Sequence, residues 1–277
     1  MLKHTIKNSV LKNINKGMDI MKKVDRTGEE RINNFGSKMV IVEYRKNSDV
    51  DIYFPKYNWT AKNKEYNHFK KGEIKCPYEP RYYGKGYLGE GKYIVCENKK
   101  LKREYKIWYN MLKRCYDPKF QEKEPTYKGC AVEEYLLNFQ NMGAWINENY
   151  YEVPGERMHL DKDILNKGNK IYSRDKCIFV PQRINNLFTK RDNSRGNNSI
   201  GITPRESGNH QVHCNNGNGK LIHLGTYPTK EEAFRVYKEY KENVIKEVID
   251  SYEGIIPEPH YSRLREAMYN YEVEMDD

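Results

Sequence analysis

Five side chains toward the C-terminal end, Arg205, Gln211, His213, Lys220 and His223, combine cations with groups that both donate and accept hydrogen bonds. Amide and imidazole groups can read the donor and acceptor pattern of base-pair edges, while Lys and Arg neutralise the neighbouring phosphates. To act together these residues must share one surface. The runs Ile200-Gly201-Ile202-Thr203, Gln211-Val212-His213-Cys214 and Leu221-Ile222-His223-Leu224 read as three strands. Asn215-Asn216-Gly217-Asn218-Gly219 is a strong hairpin signal between the last two. Thr229 and Glu232 form a capping box, after which Ala233, Phe234, Val236, Tyr237, Tyr240, Val244, Ile245 and Val248 recur at helical period. One amphipathic helix therefore covers one face of a three-stranded sheet. The other face and its edges present the polar residues.

Upstream, Arg157-Met158-His159-Leu160-Asp161-Lys162-Asp163-Ile164, a turn-rich Asn166-Lys167-Gly168-Asn169, Cys177-Ile178-Phe179-Val180-Pro181 and Gln182-Arg183-Ile184-Asn185-Asn186-Leu187-Phe188 read as strand, loop, strand and short helix. His159 and Asp161 are two apart on the first of these strands and so lie on one face of it. The stretch Thr189-Lys190-Arg191-Asp192-Asn193-Ser194-Arg195-Gly196 is polar and basic; it fits a linker over 191–198 whose Arg191 and Arg195 can track phosphates.

Two family resemblances sharpen these readings. Ser199-Ile200-Gly201-Ile202-Thr203, the turn Leu224-Gly225-Thr226-Tyr227 and the helix start Thr229-Lys230-Glu231-Glu232-Ala233-Phe234 resemble the ERF (APETALA-type) DNA-binding domain. That resemblance implies three strands followed by a helix over 199–252, and contact of the sheet with double-stranded DNA. The strands here carry fewer arginines and tryptophans than is usual in that family.

The segment from Leu160 to Phe188 resembles HNH-type phage and homing nucleases, whose pattern is apolar-Asp-His-apolar-Asp, a loop, a second strand and a helix bearing Asn. The resemblance places Asp161 as a metal ligand, Lys162 where the general base stands, and Asn185 or Asn186 as the last ligand. It implies Mg²⁺ or a similar divalent ion, which stabilises charge on the phosphate while a base takes a proton from water. Because lysine is ordinarily protonated, His159 is the alternative base. The implied activity is a metal-dependent DNA endonuclease hydrolysing phosphodiester bonds; with its chemistry lost, the same fold would be a DNA-binding regulator. The two resemblances together imply a phage-encoded protein of the host bacterial cytoplasm.

The remaining sequence predicts an α+β, multidomain chain. An amphipathic basic helix is expected over 1–26, with Ile6, Val10, Leu11, Ile14, Met18 and Met21 on one side. A small β-rich domain follows over 27–98, from the runs Met39-Val40-Ile41-Val42-Glu43-Tyr44 and Val50-Asp51-Ile52-Tyr53-Phe54 and a segment rich in Gly and Tyr. Gly84, Gly86, Gly89 and Gly91 suit turns better than a phosphate cradle, since no Gly-Lys-Ser/Thr follows them. The tyrosines of this segment could stack unpaired RNA bases, though packing is the simpler use of them. Residues 99–190 are expected to hold a helix over 103–115, a second from Val132 to Ile146, and the nuclease-like segment. After 252 an acidic tail is expected to hang free or pack weakly.

A formal charge of +10 favours an anionic partner. No apolar run of about 18 residues is present, so neither export nor a membrane partner is expected. Cys76, Cys96, Cys115, Cys130, Cys177 and Cys214 form no C-x-x-C pair and are expected to be reduced and mostly buried.

Overall fold

A computed structural model describes residues 24–189 and 199–275. The expected basic helix lies outside the described residues except for its last three positions, and Arg191 and Arg195 lie outside them as well. The fold is mixed α+β, with several small sheets and, among the described residues, eight α-helices. None of these helices is long and apolar enough to cross a membrane. The chain divides between Glu79 and Pro80 into two compact units.

In the first unit, apolar and polar residues alternate strongly enough to build an antiparallel meander. Its strands are β1 (Glu30–Ile32), β2 (Lys38–Lys46), β3 (Asp49–Phe54) and β4 (Trp59–Lys64), followed by the short helix α1 (Tyr66–Lys70). The register sets Ile41, Ile52 and Ala61 side by side. These residues meet Phe54, Phe69 and Cys76 in one apolar core. At the β2–β3 turn Arg45 donates to Asp49 (Nε to Oδ2, 2.9 Å) and to the buried Asp51 (Nη2 to Oδ1, 2.7 Å).

Residues 80–98, grouped on sequence with this sheet, instead pack on the first helix of the second unit. Tyr82 lies edge-on to Trp108, with ring centroids 4.9 Å apart. Gly86 rests directly on Trp108 and Leu112, where any side chain would overlap them. Gly86 thus permits a close approach, a use that the reading of these glycines as turns does not include. A short hairpin, β5 (Cys96–Glu97) and β6 (Lys100–Leu101), then leads into α2 (Arg103–Tyr116) and α3 (Pro118–Lys123).

The single helix expected from Val132 to Ile146 is broken into three pieces: β7 (Ala131–Val132), α4 (Glu134–Leu137) and α5 (Phe139–Asn149). The break falls at Asn138, whose Oδ1 accepts from the backbone N–H of Gln140 (2.9 Å) and caps α5. Next come β8 (Met158–Asp161), β9 (Ile171–Tyr172), β10 (Ile178–Pro181) and α6 (Gln182–Leu187). β10 pairs antiparallel with β8, and β9 pairs parallel with β7.

The C-terminal part has the expected order of three strands and a helix: β11 (Ile202–Pro204), β12 (His210–Asn215), β13 (Leu221–Tyr227) and α7 (Lys230–Asp250). Thr229 caps α7 by accepting from the N–H of Glu232 (3.2 Å). This part has no separate core. Ile178, Val180, Ile184 and Leu187 belong to the same buried cluster as Ile202, Val212, Ala233, Tyr237 and Val244. Arg183 reinforces the junction by donating from Nε to Gly217 O (2.9 Å).

The acidic tail, expected to hang free or pack weakly, is instead packed into the core. Residues 260–269 form a further helix, α8 (His260–Tyr269), and Tyr261, Leu264, Met268 and Val273 are buried in that same cluster. Their spacing places three of them on one helical face, which gives this segment a stripe to bury despite its charge. Glu274, itself exposed, pairs with Lys167 at 2.9 Å. Among the described residues no disulfide joins the six cysteines, and all but Cys96 are buried.

Candidate nucleic-acid interface

Strand β12 sorts its residues by alternation. Val212 and Cys214 face α7 and are buried, so Gln211 and His213 face the other way. The same open face receives His223 from β13 because the pairing slips by one residue. Val212 pairs with Gly225, but the next residue, His213, pairs with His223, which leaves Leu224 as the extra residue of a β-bulge. Two contacts support this bulge. Gly225 has φ +128°, a value that L side chains rarely adopt, and the Tyr227 hydroxyl donates to Leu224 O at 2.9 Å.

The result is a small polar cluster. The His213 and His223 rings have centroids 5.0 Å apart, and the Gln211 side-chain nitrogen lies 3.4 Å from His223 Nδ1. Arg205 and Lys220 sit at opposite ends of β12, both exposed. Arg205 is in the β11–β12 turn, where its N–H donates to Asn209 O (2.8 Å). Lys220 closes the β12–β13 turn, its N–H donating to Asn216 Oδ1 (3.1 Å). Thr203 and Thr226 flank Gln211 on either side in the register and are exposed. Sequence reasoning passed over these two hydroxyls because only strand pairing places them beside Gln211.

The second group of candidate residues lies on β8 and α6. His159 pairs with Val180 and Asp161 with Ile178, so His159 and Asp161 share one side of the hairpin. Asp161 Oδ1 accepts from the backbone N–H groups of Asp163 (2.8 Å) and Ile164 (2.7 Å), folding the chain sharply after β8. Burial, joined by the nearby Asp163 carboxylate, pushes the Asp161 carboxyl up to about 6. Asn169 braces the same loop by donating from Nδ2 to Lys162 O (2.6 Å) and Ile171 O (2.8 Å).

Lys162 is buried, and its ammonium donates to Asp163 Oδ2 at 2.8 Å. Burial alone would lower its pKa, but the Asp163 hydrogen bond and charge outweigh it and raise it instead. The protonated form is therefore favoured, against the requirement for a base. His159 is pushed below its usual range by burial, helped by Arg157 and Arg114, and its Nε2 is buried with no hydrogen-bond partner. Asn185 is partly buried and Asn186 exposed on α6, which packs against β8. Among the described residues, no three His, Cys, Asp or Glu side chains cluster as a metal site.

Arg114 escaped sequence reasoning because it stands in the stretch read as a scaffold helix. It reaches Tyr172 Oη (3.5 Å), close enough to Asp161 and His159 to act on both electrostatically. No family model, curated protein or solved structure matches this chain. Its functional reading therefore rests on the residues themselves.

Proposed function

We propose that this protein binds double-stranded DNA through the open face of the β11–β12–β13 sheet. The observation that carries the reading is the grouping of Gln211, His213 and His223 on that face, with exposed Arg205 and Lys220 at the two ends of β12. Imidazole and amide groups in a row match base edges in the major groove, which admits β-ribbons, and the flanking cations match phosphates. The net charge of +10 acts in the same direction.

The test is duplex binding followed by fluorescence anisotropy across a range of salt concentrations. Arg205→Ala and Lys220→Ala should each weaken binding to all sequences and reduce the salt slope by about 1. Combining Gln211→Ala with His223→Ala should instead relax discrimination between base pairs, by about 1–3 kcal/mol per lost contact. Absence of salt-dependent duplex binding, or unchanged binding by all four substitutions in folded protein, overturns the reading.

A second reading, DNA cleavage at β8 and α6, is favoured by His159. Its unpartnered Nε2 and depressed pKa suit a proton acceptor, and it shares a strand face with Asp161. The donor types also fit a cation, because Asp161 offers a carboxylate and Asn185 and Asn186 offer amide oxygens, the kind of ligand that an ion of the Mg²⁺ class takes. Asp161, with Asn185 or Asn186, would hold an ion of the Mg²⁺ class, which when bound supplies charge stabilisation at the phosphate. His159 would accept the proton of the attacking water, while Lys162 stays protonated and paired. Nicking of supercoiled plasmid with Mg²⁺, lost in Asp161→Asn and in His159→Asn, is the expected result. No nicking with any divalent ion removes this reading and leaves DNA binding standing.

A further inference from the structure

We propose that His213 and His223 form a binding site for a divalent d-block cation such as Zn²⁺, with Gln211 orienting one of the ligands. An imidazole holds zinc at about 2.0–2.1 Å, so two rings on one tetrahedral ion have centroids about 5 Å apart. The centroids of His213 and His223 are 5.0 Å apart, and the rings are tilted by 46° rather than stacked flat. The centroid separation of the pair therefore matches that of two rings on one ion.

Gln211 supplies the second requirement of a histidine ligand, a partner for the ring nitrogen that does not bind the ion. Its amide lies 3.4 Å from His223 Nδ1. With the amide oxygen turned toward it, Nδ1–H donates to Gln211, and the lone pair of His223 Nε2 is left to the ion. Imidazole selects zinc, nickel and copper over magnesium and calcium, which take oxygen ligands. The site is thus chemically distinct from the Asp161 region. Both histidines are accessible: His223 is exposed and His213 half-buried. Water completes the coordination shell.

The bulge is what brings the two rings together. In an unbulged ladder continuing from Val212–Gly225, His213 would pair with Leu224 and His223 would fall opposite Cys214. Gly225 and the Tyr227 hydroxyl bonded to Leu224 O hold this register. A sheet that only needed a closed ladder has no use for this arrangement, and bulges commonly re-aim a side chain.

The experiment is calorimetric titration of the full chain with zinc sulfate in a non-coordinating buffer without nucleic acid, so it does not depend on DNA binding. One saturable site is expected. His213→Asn or His223→Asn should abolish it, Gln211→Ala should weaken it by about 10–100-fold, and His159→Asn should leave it unchanged. With Cu²⁺ as a paramagnetic probe, amide resonances of β12 and β13 around these residues should broaden first. Absence of a saturable site overturns the proposal. So does zinc binding whose affinity and stoichiometry are unchanged by the His213→Asn/His223→Asn double substitution in protein with an unchanged circular dichroism spectrum.

Discussion

Replacing Asp161 by Asn should make the protein more stable at neutral pH, not less. The carboxyl is displaced from 3.8 to about 6 by burial and by Asp163, so its ionised form is disfavoured in the fold. Between these two values the folded state binds more protons than the unfolded state, and stability falls as pH rises through that window. Above it the ionised side chain costs on the order of 3 kcal/mol relative to its neutral form. Asparagine keeps an oxygen for the N–H groups of Asp163 and Ile164, so the turn after β8 is retained without the charge. Urea unfolding of Asp161→Asn should show a gain of up to about 3 kcal/mol at pH 7.5 that disappears by pH 4. Asp161→Ala removes the acceptor, and at pH 4 it should fall below wild type by about 1–3 kcal/mol for each amide left unsatisfied. A loss of stability for Asp161→Asn at pH 7.5, or a gain that does not vary with pH, refutes the reasoning. Retaining a carboxylate at this cost is expected where a charged group is kept for function.

Gly201→Ala should destabilise the C-terminal sheet. Its φ of +66° is left-handed, and a methyl group there would overlap the Tyr237 ring of α7 and approach His213 O to 2.7 Å. Overpacking of about 1–3 kcal/mol and a backbone cost of about 1–2 kcal/mol should lower the denaturation midpoint in urea. Leu264→Ala should cost about 2–5 kcal/mol in the same unfolding assay, because this fully buried side chain on α8 fills the shared core. An unchanged midpoint would mean that α8 does not pack there in solution.

Features that depend on neighbours in the chain were legible from the sequence. Alternation at Gln211-Val212-His213-Cys214 identified the outward-facing residues, because the two faces of a strand differ by one position. The capping pair Thr229 and Glu232 marked the start of α7, since capping is local. The strand, loop, strand and helix from Met158 to Leu187 were equally plain. Asn138 was not, because a helical stripe runs through it and the cap that interrupts the stripe is a single side chain. Nor was the destination of residues 80–98, whose glycines read as turns and gave no sign that Gly86 would rest on Trp108.

The acidic composition near the C-terminus hid the stripe Tyr261, Leu264 and Met268, which becomes a helix worth ordering only against a core built by α6, β12 and α7. The sites show the same division. Residue type, strand alternation and the two family resemblances marked His159, Asp161, Gln211, His213 and His223 as capable of chemistry. Tertiary structure decided which of them meet, by a bulge that sets His213 against His223. It also decided the protonation favoured at Asp161, His159 and Lys162, through the burial of the first two and the pairing of the third with Asp163. Solvent exclusion and strand register arise from contacts between segments far apart in the chain, and local sequence carries no record of them.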